Sequence, residues 1–139
     1  MPDDAPTIAA ASDSAFAGDT VIVRPGTYNE SYLVMKSGVV LKSESGDPDD
    51  TIIDAQGTER IFNCNGLAAD TEIRGFTIRN GFTYSGPGGA MSCVESDLTV
   101  ADCFFLQNTT YMDDASGAAV CGGQPSFIGC YFAFNTAEV

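Results

Sequence analysis

The sequence predicts an all-β fold: a short right-handed parallel β-helix with a helical cap at its N-terminus and an uncapped C-terminal end. The first observation behind this prediction is a pattern with apolar residues at n, n+3 and n+5, which occurs three times. The copies start at Ile73, Val100 and Phe127, so that consecutive starts lie 27 residues apart. Self-similarity at such a period is typical of stacked repeats, and the length allows about four to five coils.

The second observation is that each repeat alternates with period two. Within each copy two apolar residues stand two positions apart, as Cys103 and Phe105 do, and Gly, Pro and Asn bound the copies. This pattern indicates strands rather than helices. Equivalent residues of stacked coils lie about 4.8 Å apart. Three inward columns are therefore predicted: Ile73/Val100/Phe127, Phe76/Cys103/Cys130 and Ile78/Phe105/Phe132.

A polar column is predicted where each copy turns. Asn108 and Asn135 stand at n+8 of the second and third copies. A sharp turn there leaves backbone groups that need hydrogen-bond partners, which asparagine supplies. The first copy departs from this pattern, because it has Asn80 followed by Gly81.

The chain has five cysteines and no histidine, which limits its chemistry. The repeat register places Cys64, Cys93 and Cys121 in one inward column and Cys103 and Cys130 in another. We expect small buried hydrophobic residues, which is the common role of a free cysteine. The alternative is a disulfide between adjacent coils, and an odd count leaves at least one thiol unpaired within the chain. No metal site is assigned to these cysteines.

A short helix is predicted from roughly Thr7 to Phe16, with Thr7 as its N-cap and Gly18 as its stop. Its expected apolar face consists of Ile8, Ala11, Ala15 and Phe16. A helix this short is not stable alone, so this face must cover the first coil, which opens with the predicted strand Val21–Val23.

Residues 1–139 are predicted to form a single domain, with the cap in residues 1–18 and the coils in residues 19–139. The acidic beginning does not resemble a signal peptide, so either a leader was removed or the chain starts inside a longer protein. The strands expected in the early coils are Tyr32–Met35, Val39–Leu41, Thr51–Ile53 and Ile61–Cys64. Residues 43–50 are expected to form an acidic, solvated loop.

The charge balance restricts the possible partners. Six Lys and Arg residues face 19 Asp and Glu residues, which gives a net charge of −13. Nucleic acid and anionic lipid are disfavoured, because both require basic patches. No apolar run is long enough to span a membrane.

Several segments resemble known β-helix proteins. Residues 7–28, with Gly18-Asp-Thr-Val-Ile-Val-Arg-Pro-Gly-Thr-Tyr28, resemble the N-terminal cap and first coil of the pectin-lyase-like superfamily, and residues 51–57 resemble its next coil. Residues 88–91, Gly-Gly-Ala-Met, with Phe105-Leu-Gln-Asn108 and Phe132-Ala-Phe-Asn135, resemble the GGA and FxxN repeats of polymorphic-membrane-protein adhesins. The resemblance implies the fold, but the superfamily contains lyases, hydrolases, adhesins and spike proteins.

A binding site is predicted where two insertions leave the same flank of the coils. Tyr84 and Tyr111 stand 27 residues apart, and Asp113 and Asp114 follow in the second insertion. Loops on one side of a solenoid commonly carry binding function. The two rings suit the apolar face of a sugar, and the carboxylates suit its hydroxyl groups or a bridging Ca²⁺. The alternative is a pair of solvated loops whose tyrosines pack over the coil edge.

We therefore expect a non-catalytic surface or binding module, carbohydrate-recognising or the N-terminal part of a larger adhesin, with an extracellular or cell-surface location. The alternative is a small polysaccharide lyase or glycoside hydrolase. No catalytic residue is assigned, because the chain lacks the histidine of the polygalacturonase-like enzymes. Arg74 and Arg79 are expected to point outward, with Arg74 in an exposed salt bridge to Asp102.

A homodimer is predicted through the C-terminal coil. Its last copy is as apolar as the copies before it, and residues 136–139 do not suit a cap. The exposed strand edge and the apolar residues Phe127, Cys130, Phe132 and Phe134 would then meet a second copy. With the other end blocked by its helix, a closed twofold contact is expected.

Overall fold

The protein is an all-parallel β-solenoid of about four turns with one short helix near its N-terminus, which confirms the predicted fold class. A computed structural model describes residues 5–84, 88–111 and 119–138, with only the backbone at residues 119–123 and 138. Within these residues the helix α1 spans Ile8–Ser14.

The strands follow one another coil by coil. The first two coils contain β1 (Thr20–Val23), β2 (Gly26–Tyr28), β3 (Leu33–Val34), β4 (Val40–Ser43), β5 (Thr51–Asp54) and β6 (Phe62–Asn65). The next two coils contain β7 (Glu72–Arg74), β8 (Thr77–Arg79), β9 (Phe82–Thr83), β10 (Met91–Ser96), β11 (Thr99–Ala101), β12 (Phe104–Leu106), β13 (Thr109–Tyr111) and β14 (Ala119–Gly123). A partial coil follows these four and is the last that the structure describes; it contains β15 (Ser126–Ile128), β16 (Tyr131–Ala133) and β17 (Thr136–Glu138).

Four parallel sheets run along the solenoid, each built from one strand per coil. The first sheet has the order β1-β4-β7-β11-β15 and the second β2-β5-β8-β12-β16. The third has the order β3-β6-β10-β14, and the short fourth sheet, β9-β13-β17, exists only in the later coils. Each strand inside a sheet therefore hydrogen-bonds to its equivalents in the coils before and after it, as stacked repeats require.

The core consists of the inward columns that the repeat predicts. Ile73, Val100 and Phe127 are register partners in the first sheet. Phe105 pairs with Ile78 on one side and with Phe132 on the other. The Phe105 and Phe132 rings stack with centroids 4.8 Å apart and planes inclined by only 6°. These predicted columns are confirmed.

A polar ladder lines the turn that follows the second sheet. The Asn108 side chain donates from Nδ2 to the Ile78 carbonyl at 3.1 Å and accepts from the Gly81 amide at 2.8 Å. Asn135 repeats this one coil later, accepting from the Asn108 amide at 3.1 Å and donating to the Phe105 carbonyl at 2.8 Å. These bonds satisfy buried backbone groups that the turn would otherwise leave unpaired.

The glycine at position 81 explains why the first copy lacks the asparagine. A Cβ at Gly81 would lie 2.3 Å from the Gly89 carbonyl oxygen and 3.0 Å from Asn108 Oδ1. The Gly89 oxygen belongs to the backbone and cannot turn aside as a side-chain end can, so a side chain does not fit at position 81 without a shift of the backbone. The ladder therefore ends at a backbone amide rather than at another asparagine.

The N-terminal helix is held at both ends. Thr7 caps it, as predicted, by accepting from the Ala10 amide at 3.0 Å. The Glu30 carboxylate, which sequence analysis missed, accepts from the Ile8 amide at 2.9 Å and the Ala9 amide at 3.0 Å. At the other end Lys36 donates to the Ala15 carbonyl at 3.4 Å. These contacts fix the cap on the first coil.

The expectation that the helix runs to Phe16 is wrong. Ala15 is the C-cap, in extended conformation, and the Phe16 side chain is 77% exposed. The predicted members Ile8 and Ala15 are buried, and Ala11 is partly buried against the core. Only Phe16 is therefore absent from the covering face, to which Ser12 adds a fourth residue. Residues 8, 12 and 15 recur at helical spacing, and a bend after Ala15 takes the next residue off that face.

The early strands differ from the prediction by one or two residues at their ends. The predicted strand Tyr32–Met35 is reduced to β3, because Tyr32 adopts a left-handed conformation with φ 55°. The predicted strand Val39–Leu41 lies instead at Val40–Ser43. The acidic loop is exposed as expected, except for Ser43, which is buried, and Pro48, which is half-buried.

The cysteines are buried as predicted where the structure describes their side chains. Cys64, Cys93 and Cys103 are buried, Cys130 is half-buried, and these four are free thiols. Cys121 pairs with Cys93 through its backbone, and its side chain lies outside the described residues. Burial raises the pKa of the Cys103 thiol to about 12, so this sulfur is an unreactive part of the core.

The stacked core makes a testable prediction. Phe105→Ala removes a fully buried ring from the Ile78–Phe105–Phe132 column. The free energy of unfolding should fall by about 3–5 kcal/mol, as for other large aromatic truncations. Reversible denaturant titration measures the loss. Phe16→Ala, at an exposed phenylalanine, is the control and should change stability little. A loss below about 1 kcal/mol in Phe105→Ala would contradict the packing.

Candidate functional site

The predicted tyrosine neighbours lie together on the flank formed by the fourth sheet. The strands β9 and β13 pair in parallel, with Thr83 opposite Thr110, so the next residues along the chain, Tyr84 and Tyr111, also meet. Their ring centroids lie 5.3 Å apart with planes inclined by 36°. Tyr84 is 61% exposed. The pair forms a solvent-facing aromatic platform on a rigid support.

The two predicted insertions, residues 82–87 and 109–116, do not begin as loops, so the loop prediction is wrong for their first residues. Residues 82–83 and 109–111 are strands, and they belong to the fourth sheet together with β17. Their parallel backbone bonds explain why the two rings meet at a fixed spacing. The predicted carboxylates Asp113 and Asp114 lie outside the described residues, so the calcium hypothesis stays a prediction.

A groove borders the exposed ring of Tyr84. It has a volume of about 220 Å³ and is lined by Tyr32, Thr58, Glu59, Arg60, Phe82, Thr83 and Tyr84. Six of the seven lining residues carry a hydroxyl, carboxylate or guanidinium group in addition to their apolar atoms. Tyr32 is the second exposed tyrosine of this groove, beside Tyr84. The site therefore combines aromatic faces with hydrogen-bonding groups, which is the usual composition of a small-ligand site.

The guanidinium of Arg60 is built into the wall of this groove. Its Nε donates to the Gly88 carbonyl at 2.8 Å, and Nη1 donates to Asn63 Oδ1 at 3.2 Å. Burial lowers the pKa of Arg60 below its usual value, but arginine remains charged at neutral pH. The Arg60 carbonyl also accepts from the Tyr32 amide at 2.8 Å, which ties the two residues together.

Sequence reasoning missed Tyr32 and Arg60, although a signal for them exists. Strand β3 pairs with β6 in a register that places Leu33 opposite Phe62. This alignment of two apolar residues also places Tyr32 beside Arg60 and Ile61, the residues that precede Phe62. The early coils do not share the 27-residue spacing of the later ones, so the repeat itself gave no such alignment.

The charged residues on the outer surface form ion pairs. Arg79 donates from Nε to Asp54 Oδ2 at 2.8 Å, and the Asp54 carboxylate also accepts from Asn80 Nδ2 at 3.0 Å and from the Gln56 amide at 2.8 Å. Arg74 contacts Glu72 and lies 3.9 Å from Asp102, so the expected exposed pair with Asp102 is confirmed.

The Asp54 carboxylate is stabilised in its ionised form. Burial alone would raise its pKa, but the bonds from Asn80, the Gln56 amide and Arg79 outweigh burial and hold the pKa of Asp54 below its usual value. With three donors on two oxygens, this carboxylate has a structural role in the second sheet.

The four residues predicted for self-association lie on two different surfaces. Phe127 and Cys130 are half-buried, and Phe132 is exposed, in the last described coil. Strands β15 and β16 each have a single neighbour among the described residues, β11 and β12. Phe134 instead lines a groove on the outer face of the second sheet.

Comparison with family models, with curated proteins and with solved structures found no match for this chain. Among the described residues, no helix has both the length and the apolar character needed to cross a bilayer. The case for a function therefore rests on the site geometry.

The Asp54 network predicts a pH dependence. A folded-state pKa below the unfolded one adds stability at neutral pH that is lost as the pH falls through the folded pKa. Asp54→Asn should therefore lower the unfolding midpoint at pH 7 and flatten its decline between about pH 5 and pH 2. Thermal melts across this range measure both effects. Asp70→Asn, at an exposed site outside the network, is the control. An equal decline in Asp54→Asn and wild type would contradict the prediction.

Proposed function

We propose that this protein is a non-catalytic binding module that holds a neutral glycan on the Tyr84–Tyr111 platform. The observation that carries this proposal is the close approach of the two rings, 5.3 Å between centroids, on an exposed flank. Tyrosine offers a large, rigid contact area with a polar tip, so it loses little conformational entropy on binding.

The neighbouring groove supports the same ligand class. A sugar ring has apolar C–H faces and a rim of hydroxyl groups, so it needs both aromatic surface and hydrogen-bonding groups. The platform supplies the first. Thr58, Glu59 and Arg60, beside the exposed ring of Tyr32, supply the second. The binding strength is concentrated in the aromatic contacts, and the polar groups select the orientation of the hydroxyls.

The charge of the protein favours a neutral glycan over an acidic one. The net charge of −13 repels a polyanion such as polygalacturonate or alginate, most strongly at low salt. A neutral oligosaccharide is not affected by this repulsion.

The proposal extends to the setting in which the module works. In this proposal the chain belongs to the pectin-lyase-like superfamily and, within it, to cell-surface adhesins with polymorphic-membrane-protein repeats. In support, the FxxN positions perform the two tasks that such a repeat needs: Phe105 and Phe132 stack in the core, while Asn108 and Asn135 hydrogen-bond along the turn. In this proposal the chain is the N-terminal part of a larger extracellular adhesin.

The platform is tested by replacing both tyrosines. In a panel of immobilised neutral oligosaccharides and polysaccharides, wild type should bind at least one glycan, and Tyr84→Ala/Tyr111→Ala should lose that binding. The melt should hardly change, since Tyr84 is exposed. The control Tyr131→Ala removes an exposed tyrosine from the outer face of a different sheet and should retain binding.

Three outcomes would contradict the proposal. The first is wild-type protein that binds no glycan in the panel. The second is binding that survives the double substitution, since the ligand would then sit elsewhere. The third is the release of unsaturated products or new reducing ends from polygalacturonate or alginate, with or without Ca²⁺, which would favour the lyase or hydrolase alternative.

We also propose that two copies associate through the last described coil. Phe132 is 45% exposed, although one face of its ring stacks on Phe105. The Phe132 and Phe127 ring centroids lie 5.9 Å apart, with the rings tilted against each other. Partly exposed stacked rings, beside strands that have one neighbour each among the described residues, favour contact with an identical surface.

Light scattering over a dilution series tests this association. Wild type should show twice the monomer mass, and Phe132→Asp should be monomeric, because a carboxylate does not tolerate burial against a second copy. Phe16→Asp, at the opposite end, should remain dimeric. Circular dichroism establishes that each variant is folded. A monomeric wild type at the highest concentration would refute the dimer.

A further inference from the structure

A second groove lies on the outer face of the second sheet, separate from the tyrosine platform. Its volume is about 580 Å³, and its lining consists of Asp49, Phe104, Leu106, Gln107, Tyr131, Ala133 and Phe134. Phe134 is 82% exposed and Tyr131 is 58% exposed. The Phe104 and Tyr131 rings meet edge to face with centroids 5.8 Å apart. Contiguous exposed aromatic surface of this kind marks interaction sites.

The repeat places these aromatic residues at positions where the earlier coils have smaller or polar ones. The outward column of the second sheet runs Thr27, Ile52, Thr77, Phe104 and Tyr131. At the following corner, Gln56, Asn80, Gln107 and Phe134 all adopt φ between 55° and 56°. A phenylalanine is unfavourable in this conformation, where Asn and Asp are tolerated better. Packing within the protein does not explain Phe134, because its ring is exposed.

An acidic loop contributes Asp49 to the lining of the groove. Residues 44–50, the acidic loop, contain Glu44, Asp47, Asp49 and Asp50 and no lysine or arginine. The nearest cation in the strand register, Arg79, stands opposite Leu106 and is paired with Asp54 at 2.8 Å. That pair is neutral overall. The potential at the groove is therefore set by the acidic loop.

The acidic loop is fixed against the sheet. The Thr77 hydroxyl donates to the Pro48 carbonyl at 2.7 Å. Gly75, with φ 81°, lets the loop approach, since a Cβ there would lie 3.3 Å from Gly46 Cα and 2.3 Å from Ser43 Oγ. Within the loop the Asp49 amide donates to Asp47 Oδ1 at 2.9 Å. Asp49 is thus held beside the aromatic rings, and the site exists before any ligand arrives.

We propose that this groove binds a basic, apolar peptide segment of a partner protein. Aliphatic side chains of the segment would pack between Phe104, Leu106 and Phe134. Its arginine or lysine side chains would lie over the exposed aromatic faces, with their charges toward Asp49 and the acidic loop. Cation–π contact and charge complementarity act together in this arrangement. This binding activity is independent of the glycan platform.

Other occupants fit the groove less well. An acidic polysaccharide would bring more negative charge to a chain that already carries −13. A neutral glycan needs many hydrogen-bonding partners, but Asp49 and Gln107 are the two lining residues with strongly polar side chains besides the hydroxyl of Tyr131. A basic peptide with apolar side chains uses both the aromatic lining and the acidic loop.

The test uses fluorescence anisotropy with three labelled synthetic peptides of equal length: alternating Arg and Leu, alternating Glu and Leu, and alternating Arg and Ser. The Arg–Leu peptide should bind, more weakly at high salt, and the Glu–Leu peptide should not. Arg–Ser, which lacks apolar side chains, should bind more weakly than Arg–Leu. Phe134→Gln replaces the exposed phenylalanine with glutamine, the residue found at the equivalent corner position, Gln107, of the previous coil. This variant should weaken Arg–Leu binding about tenfold.

Matched controls separate the groove from general attraction to an acidic protein. Asp49→Asn should weaken Arg–Leu binding more than Asp70→Asn, which removes an equal charge at another exposed position. Phe16→Ala, at an exposed ring outside the groove, should bind as wild type does. Unchanged binding in Phe134→Gln, equal effects of the two Asp variants, or no binding by wild type would overturn the proposal. Loss of glycan binding or of the dimer in Phe134→Gln would also overturn it, because the groove would then bind the glycan or the second copy.

Discussion

The parallel hydrogen bonding between successive coils is the constraint on which the rest of the structure depends. It fixes which residue of one coil stands next to which residue of the following coil, as with Ile78, Phe105 and Phe132. Because side chains alternate between the two faces of a strand, a slip of one residue would turn the whole inward set outward. The core columns, the asparagine ladder and the tyrosine platform all follow from this one register.

The later coils could be predicted from the sequence because their spacing is constant. A fixed 27-residue step identifies every pairing between Ile73, Val100 and Phe127 without any knowledge of turn geometry. The same step brought Tyr84 to Tyr111. Residues that stand 27 positions apart are therefore neighbours in adjacent coils, and such pairs can be read from the sequence alone.

The early coils and the cap could not be predicted to the same degree, for two physical reasons. The loop at residues 44–50 breaks the constant step, so the neighbours Tyr32 and Arg60 have no repeat to align them. Glu30 caps the helix from 22 residues away, and nothing local marks a glutamate that bonds at that distance. The exposure of Phe16 depends on a backbone bend after Ala15, which helical periodicity does not reveal.

The asparagine ladder has a direction, and this has a consequence for how such a chain can lengthen. Each side chain accepts from the amide of the preceding coil and donates to a carbonyl of that coil, so the same bonds recur at Asn108 and Asn135. A duplicated coil inserted between these two would find matching partners on both sides. A coil inserted before Gly81 would not, because Gly81 has no side chain to bond to the amide and carbonyl of the coil that precedes it. The ladder can therefore be lengthened by duplicated coils after Gly81 but not before it.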